Sequence, residues 1–191
     1  VGGPAEVAYM AQAEVIYRRI LGRMPVIVPR NGFTLLDSHA SKVLKRFQIT
    51  IPQVLDSEER VRETIAAHLI PRHLQERSER ARQNASSILT SLQSDLREFD
   101  PTLEAASQKS AAKILYQFEK LIQKTGREML RRDERASQDA TYLTNQIYPH
   151  HHLQERFYSI LPFLARHGMD LPERLLAESQ LDCPDHMVRM I

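Results

Sequence analysis

Residues 81–147 constrain the fold of this chain more than any other stretch. Ala85, Ile88, Leu92, Leu96 and Phe99 recur at steps of three and four. After Pro101 the rhythm resumes with Leu103, Ala106, Ser110, Ile114, Phe118, Leu121 and Thr125. Apolar residues at that spacing form the a/d seam of a coiled coil, and the Gln, Lys, Glu, Arg and Ser between them form its solvated faces. Proline lacks an N–H and disfavours helical dihedrals in the residue before it, so Pro101 ends the first helix. It also suits the first turn of a new one, with Asp100 as N-cap. The expectation is two long helices folded back at 99–102, the second running on to Ile147.

Composition agrees. Hydrophobic residues make up 42% of the 191, aromatics only 6%, with no Trp, which suits long helices better than a sandwich or barrel. The formal charge is +2, from 26 basic and 24 acidic residues. With both signs mixed along the helices, no stripe for nucleic-acid phosphates emerges. One cysteine, Cys183, rules out an internal disulfide and points to a reducing, cytoplasmic setting. No apolar run has the ~20 residues of a membrane span.

The flanks carry a different pattern. Val1-Gly2-Gly3-Pro4 reads as a strand end entering a helix over 4–21, stopped by Gly22. Met24-Pro25-Val26-Ile27-Val28-Pro29 follows as a short apolar strand. Strand, helix, strand is one βαβ unit of an α/β sheet. One unit cannot make a sheet, so an upstream portion is expected. An extended piece at 33–37, a helix over 38–47 and a helix opened by Asp56 or Ser57 and broken at Pro71 lead to the hairpin. Beyond it, helices are expected at 153–167, kinked or broken early at Pro162, and at 171–181, then a terminal strand at 185–191. The division expected is 1–52, end of the α/β core and connection; 53–148, helical hairpin; 149–191, helices returning to the core.

Candidate chemistry lies in these flanks. Gly2 and Gly3 let the backbone approach a ligand, and the free N–H groups of the helix start favour an anion; a tight strand-to-helix turn is the commoner reason for such glycines. Glu6, in the first turn, could orient a hydroxyl or an amine. Arg30 follows the second strand, where open α/β sheets place ligands, and its forked donors suit carboxylate or phosphate; a loop salt bridge is the alternative. His150-His151-His152 invites a zinc reading, but ligands on one helix face need i, i+4 spacing and structural zinc usually recruits cysteines, so no metal is expected. Cys183 reads as a passive thiol. His73-Leu74-Gln75-Glu76-Arg77 recurs as His152-Leu153-Gln154-Glu155-Arg156 without matching flanks, which is no repeat architecture. The catalytic residues are not identifiable.

Four segments, in order, resemble the bacillithiol-biosynthesis cysteine-adding enzymes, the cysteine ligase BshC family. They are Val1-Gly2-Gly3-Pro4-Ala5-Glu6-Val7-Ala8-Tyr9 with Ala11-Gln12; Met24-Pro25-Val26-Ile27-Val28-Pro29-Arg30 into Phe33-Thr34-Leu35; Asp100-Pro101-Thr102-Leu103 with Ile114-Leu115-Tyr116-Gln117-Phe118-Glu119-Lys120; and Tyr148-Pro149 with Leu153-Gln154-Glu155-Arg156 and Leu161-Pro162-Phe163-Leu164-Ala165-Arg166-His167-Gly168. The resemblance implies a mainly α chain: a long antiparallel coiled-coil hairpin attached to the last part of a Rossmann-like core. It implies a ligase joining L-cysteine to glucosaminyl-malate, a homodimer through the coiled coil, and a chain inactive without the upstream core. It brings Tyr148, Gln154 and Arg156 toward the strand-end cleft, so that Gly2, Gly3, Glu6, Arg30, Tyr148, Gln154 and Arg156 would bind a nucleotide, ATP or ADP, or a substrate anion. Bracing of the hairpin base is the other role open to Gln154 and Arg156. Two departures stand out: Ala5 where the family pattern has Gly, and the histidines where a small, turn-forming residue such as Gly is usual. A non-catalytic coiled-coil module for dimerisation or partner binding is the alternative reading of the whole.

Overall fold

The computed structural model describes residues 1–180 and 185–191; Cys183 lies outside them. The described residues are mainly helical. The chain separates into two compact units, residues 1–42 with 145–191, and residues 43–144.

In the first unit, α1 (Pro4–Gln12) and α2 (Glu14–Leu21) replace the single helix expected over 4–21. The turn lies at Ala13, and Gly22 closes α2 in the left-handed region at φ 68°. Residues 24–29 form no full strand. A single parallel bridge joins Gly2 to Pro29, made by Gly2 N–H to Val28 O at 2.9 Å and Arg30 N–H to Gly2 O at 2.8 Å. The expected strand–helix–strand is thus reduced to one rung. β1 (Gly32–Leu36) pairs in parallel with β2 (His186–Met190), Gly32 opposite His186 through Leu36 opposite Met190. Ile191 N–H continues the ladder to Leu36 O at 2.9 Å. After a 3₁₀ turn at Pro149–His151 come α9 (Gln154–Phe157), α10 (Leu161–His167) and α11 (Leu171–Glu178). The helix expected over 153–167 breaks at 158–160, because Pro162 sits in the first turn of α10, where its missing N–H costs nothing. The last helix ends at Glu178 rather than 181. Thr34, Leu35, Leu36, Ala40, Ile147, Gln154 and Leu171 are buried here.

The second unit is helical. Its boundaries with the first fall inside α3 (Ser38–Phe47) and α8 (Glu134–Ile147); between them lie α4 (Ile51–Asp56), α5 (Glu58–Leu69), α6 (Arg72–Phe99) and α7 (Thr102–Arg132). Ser57 caps α5, its hydroxyl accepting Arg60 N–H at 3.1 Å. Asp100 and Pro101 alone separate α6 from α7, and Asp100 Oδ1 accepts Thr102 N–H at 2.8 Å. That bond holds the Asp100 carboxyl below its ordinary value. The long second helix is not continuous to Ile147. It breaks at Asp133, whose carboxylate accepts Ala136 N–H at 2.9 Å and so starts α8.

Packing in this unit rests on Val54, Val61 and Ile65, all wholly buried, and on Ala136, Ala140 and Leu143 at helical spacing along α8. Gly126 explains itself here. A Cβ at that position would lie 2.9 Å from the Ala66 carbonyl oxygen of α5, so the glycine lets α7 and α5 touch backbone to backbone.

The coiled-coil seam is shifted from the expected one. Ala85, Leu96, Leu103, Phe118 and Thr125 are half-buried as expected, joined by Leu89, Gln93, Ser107, Leu115 and Ile122, with Ala111 buried. Ala106 and Ser110 are exposed, and Ile88, Leu92, Phe99, Ile114 and Leu121 are 44–84% exposed. The cause is visible in the doublets Ile88-Leu89, Ile114-Leu115 and Leu121-Ile122. Each offers two adjacent apolar residues on faces about 100° apart; the second of each turns inward and the first outward.

Candidate functional site

Gly3 is the N-cap of α1, at φ −73° and ψ 173°. That is extended backbone open to any residue, so the glycine is needed for space. A Cβ on Gly3 would stand 3.0 Å from Arg156 Nη2, 3.1 Å from Arg30 Nη2 and 3.4 Å from Glu6 Oε2. Two guanidinium groups, 126 residues apart in sequence, therefore reach the same vacant position and lie within about 6 Å of each other. Arg30 has no ion pair or side-chain hydrogen bond among the described residues. Arg156 has one distant partner among them, Glu155, at 3.8 Å. Like charges this close repel, by roughly 0.7 kcal/mol in water-like surroundings and more as water is excluded. An anion between them reverses that sign. Glu6 Oε2 meanwhile accepts Gly3 N–H at 2.6 Å, covering the donor that an anion at the helix start would otherwise take.

Main-chain geometry supports this cradle. Gly2, buried, carries both hydrogen bonds of the rung to Val28 and Arg30, which fixes the backbone of Arg30 beside Gly3. Of the expected site residues, Gly3, Glu6, Arg30 and Arg156 come together, with Gly2 beneath them. Tyr148 and Gln154 are engaged elsewhere. Tyr148 sets its ring edge-on to His151, centroids 5.9 Å apart. Gln154 is 2% exposed; its Oε1 accepts Leu35 N–H at 2.7 Å, and its Nε2 donates to Leu35 O at 2.9 Å and Gln146 O at 2.6 Å. In the recurring Leu-Gln-Glu-Arg at the start of α6, Gln75 Nε2 likewise donates to two main-chain carbonyls, Ala67 O and Ile70 O, at 3.1 and 2.9 Å.

Sequence reasoning passed over a second group beside the first. Glu155 Oε2 accepts Phe33 N–H at 2.8 Å. Thr34 Oγ1 and His186 Nε2 are 2.8 Å apart, and His186 Nδ1 would lie 2.7 Å from a Cβ on Gly32. The sequence signal is Gly32 itself, which follows Asn31 in an Asn-Gly pair that also marks a turn. The histidine run departs from the expected glycine with a backbone that explains the preference: His150 and His151 hold φ of 48° and 62°, the region glycine enters without strain. Their neighbourhood is aromatic, with Phe157 5.0 Å from His150 and 6.4 Å from His152. Among the described residues no group of three or more His, Cys, Asp or Glu is placed to hold a metal ion. No helix among them is long and apolar enough to cross a membrane.

Similarity to known proteins defines the class. The family model described as "Bacillithiol biosynthesis BshC, C-terminal coiled-coil domain" matches residues 33–189. Relatives named "Putative cysteine ligase BshC" align along nearly the whole chain. The protein of Solibacter usitatus is 46% identical over 191 residues, 100% of this chain and 36% of its own length. That of Koribacter versatilis is 33% identical over 188 residues, 98% and 35%, and that of Symbiobacterium thermophilum 28% over 182 residues, 95% and 33%. This chain belongs to the BshC family. It corresponds to the C-terminal portion of these relatives and spans about a third of their length. The cradle straddles the start of the family model: Gly3, Glu6 and Arg30 precede it and Arg156 lies within it.

Proposed function

We propose that this chain is the C-terminal part of a cytoplasmic ligase joining L-cysteine to glucosaminyl-malate in bacillithiol biosynthesis, and that the Gly3 cradle is an anion pocket of that enzyme. The convergence of Arg30 and Arg156 on the vacant Cβ position of Gly3 carries the reading. Guanidinium forks match phosphate and carboxylate oxygens two donors at a time. The anion is a phosphate of ATP or ADP, or a substrate carboxylate. Arg30 and Arg156 hold it, Glu6 meets a hydroxyl or amine of the same ligand, and Gly3 keeps the floor open.

The catalytic residues would lie in a Rossmann-like core upstream, and this chain alone is inactive. Tyr9, Val15, Ile16, Ile20 and Val26, 61–92% exposed around α1 and α2, are a natural seat for that core. The helices α6 and α7 are read as an antiparallel coiled-coil hairpin. Arg97 and Glu104 pair at 3.6 Å beside the turn, and a cavity of about 750 Å³ is lined by Gln75, Glu79 and Arg82 of α6 and by Phe118 and Ile122 of α7. A homodimer would form through the hairpin's outward stripe of Ile88, Leu92 and Phe99 with Ile114 and Leu121. This stripe is the observation that favours the second reading, an assembly module without chemistry of its own.

Calorimetry with ADP and ATP, on this chain and on a form extended to the length of the relatives, tests the pocket. Saturable binding is expected, weakened at least tenfold by Arg156→Ala, the loss of one charge-assisted contact. Gly3→Val should abolish it while leaving the circular dichroism unchanged. Absence of binding by both forms refutes the pocket and leaves the assembly module as the better account.

A further inference from the structure

Strand β1 has two edges, and among the described residues the sheet has two strands. β2 takes one edge through Gly32, Thr34 and Leu36. The other edge presents Phe33 N–H, Leu35 N–H and Leu35 C=O. Two consecutive side chains, Glu155 and Gln154, meet these groups in place of a third strand, and Gln146 Nε2 donates to Leu35 C=O as well, at 3.2 Å. Glu155 accepts from Phe33 N–H at 2.8 Å, and Gln154 accepts from Leu35 N–H and donates to Leu35 C=O at 2.7 and 2.9 Å. The next residue is Arg156.

We propose that Gln154 and Glu155 are positioning residues for the anion cradle: their side-chain pairing with the free edge of β1 sets Arg156 in register with Arg30 above Gly3. The proposal rests on the anion reading of that cradle.

The links close a ring. Gly3 is bonded to Gly2, whose carbonyl takes Arg30 N–H at 2.8 Å. Three residues on, Phe33 N–H reaches Glu155. Glu155 is bonded to Arg156, whose Nη2 returns to the space over Gly3 at 3.0 Å. Both arginines are thereby measured from one short stretch of main chain, 30–35. Without the Gln154 and Glu155 bonds, Arg156 would hang on a four-residue helix, far too short to hold its shape alone. Gln154 suits its place chemically. It must offer an acceptor to one N–H and donors to two carbonyls, Leu35 and Gln146; an amide does so, whereas a carboxylate would face two carbonyl oxygens. Glu155 Oε1 lies 3.8 Å from Arg156 Nε, beyond hydrogen-bond reach, so its hold on Arg156 runs through the backbone.

A double-mutant cycle on anion affinity tests this, with inorganic phosphate and ADP as probes, on the chain and on the extended form. Gln154→Ala is expected to weaken binding about tenfold, as Arg156→Ala does. The double variant should fall within about twofold of Arg156→Ala alone, because both changes remove the same arginine contact. Glu155→Gln keeps an acceptor for Phe33 N–H and should hold affinity within about twofold, while Glu155→Ala loses it. That pair reads the proposal independently if Gln154→Ala fails to fold. If Gln154→Ala and Glu155→Ala bind like wild type while Arg156→Ala is weakened, positioning is overturned and the cradle stands. Additive loss in the double variant also overturns positioning, since a general weakening of the fold would act through Arg30 as well. If the wild-type protein binds neither probe in either form, the cradle falls and the positioning with it.

Discussion

The hairpin helices and the Gly3 cradle are built by opposite means. α6 and α7 are 28 and 31 residues long; their form comes from local spacing, and each seam position repeats the job of the one a turn away. The cradle joins three separate stretches of chain, 2–6, 28–35 and 154–156, through a handful of bonds, each made once. Redundancy makes the first tolerant of single changes, and its absence makes the second brittle. Stability and ligand affinity should therefore respond to different residues.

The largest effect should come from α5, the helix packed against α7 outside the hairpin itself. Ile65 is wholly buried, whereas Ile88 is 69% exposed. Ile65→Ala is expected to cost about 2–5 kcal/mol in urea unfolding, and Ile88→Ala about 0.5 kcal/mol or less. Neither should alter ADP affinity at a temperature where the chain is folded. A loss of affinity in Ile65→Ala would mean that the separation of stability from binding is wrong.

Next comes a reversal of sign. Exchanging glycine for alanine inside a helix normally stabilises by about 1 kcal/mol. Gly126→Ala should instead destabilise by about 1–3 kcal/mol, because the new methyl meets backbone, the Ala66 carbonyl, at 2.9 Å. A raised melting temperature would show that α5 and α7 leave room for a methyl group at this crossing.

These contrasts also show how far the sequence was legible. Pro101 located the turn, because a missing N–H is a local fact. The period-3.5 rhythm located the helices, yet not their inward face. At Ile88-Leu89, Ile114-Leu115 and Leu121-Ile122 either member satisfies the pattern, and packing decides. Asp133 is not legible as a break, because the charged run at 128–135 has the pattern of a uniform solvated surface. Gly3, Glu6, Arg30 and Arg156 could be nominated by residue chemistry and family resemblance, and the structure brings them together. Gln154 and Glu155 were harder. An amide that bonds a strand edge and an amide that binds a ligand look alike in sequence, and only the position of Leu35 separates them.

The smallest expected effect sharpens the contrast from the hairpin side. Glu128 of α7 accepts from Arg131 Nε and Nη2 and from Arg132 Nε at 2.7–2.9 Å. Those hydrogen bonds hold its carboxyl at about 2, below the ordinary 4.5. A carboxylate with a lowered value in the folded state adds stability above its unfolded value, which fades as pH falls from about 4.5 through about 2. The cluster is solvent-exposed, so its share of stability is small and the ionisation itself is the better readout. By carbon-13 NMR, the Glu128 carboxyl should titrate well below an unpaired glutamate. Arg131→Gln should move it up toward 4.5, further than Arg132→Gln, because Arg131 contributes two of the three bonds. A Glu128 midpoint near 4.5 in the wild-type chain would mean that the pairing does not persist in solution. The same measurement at raised salt separates the causes: through-space attraction is screened, whereas direct hydrogen bonds keep most of the shift.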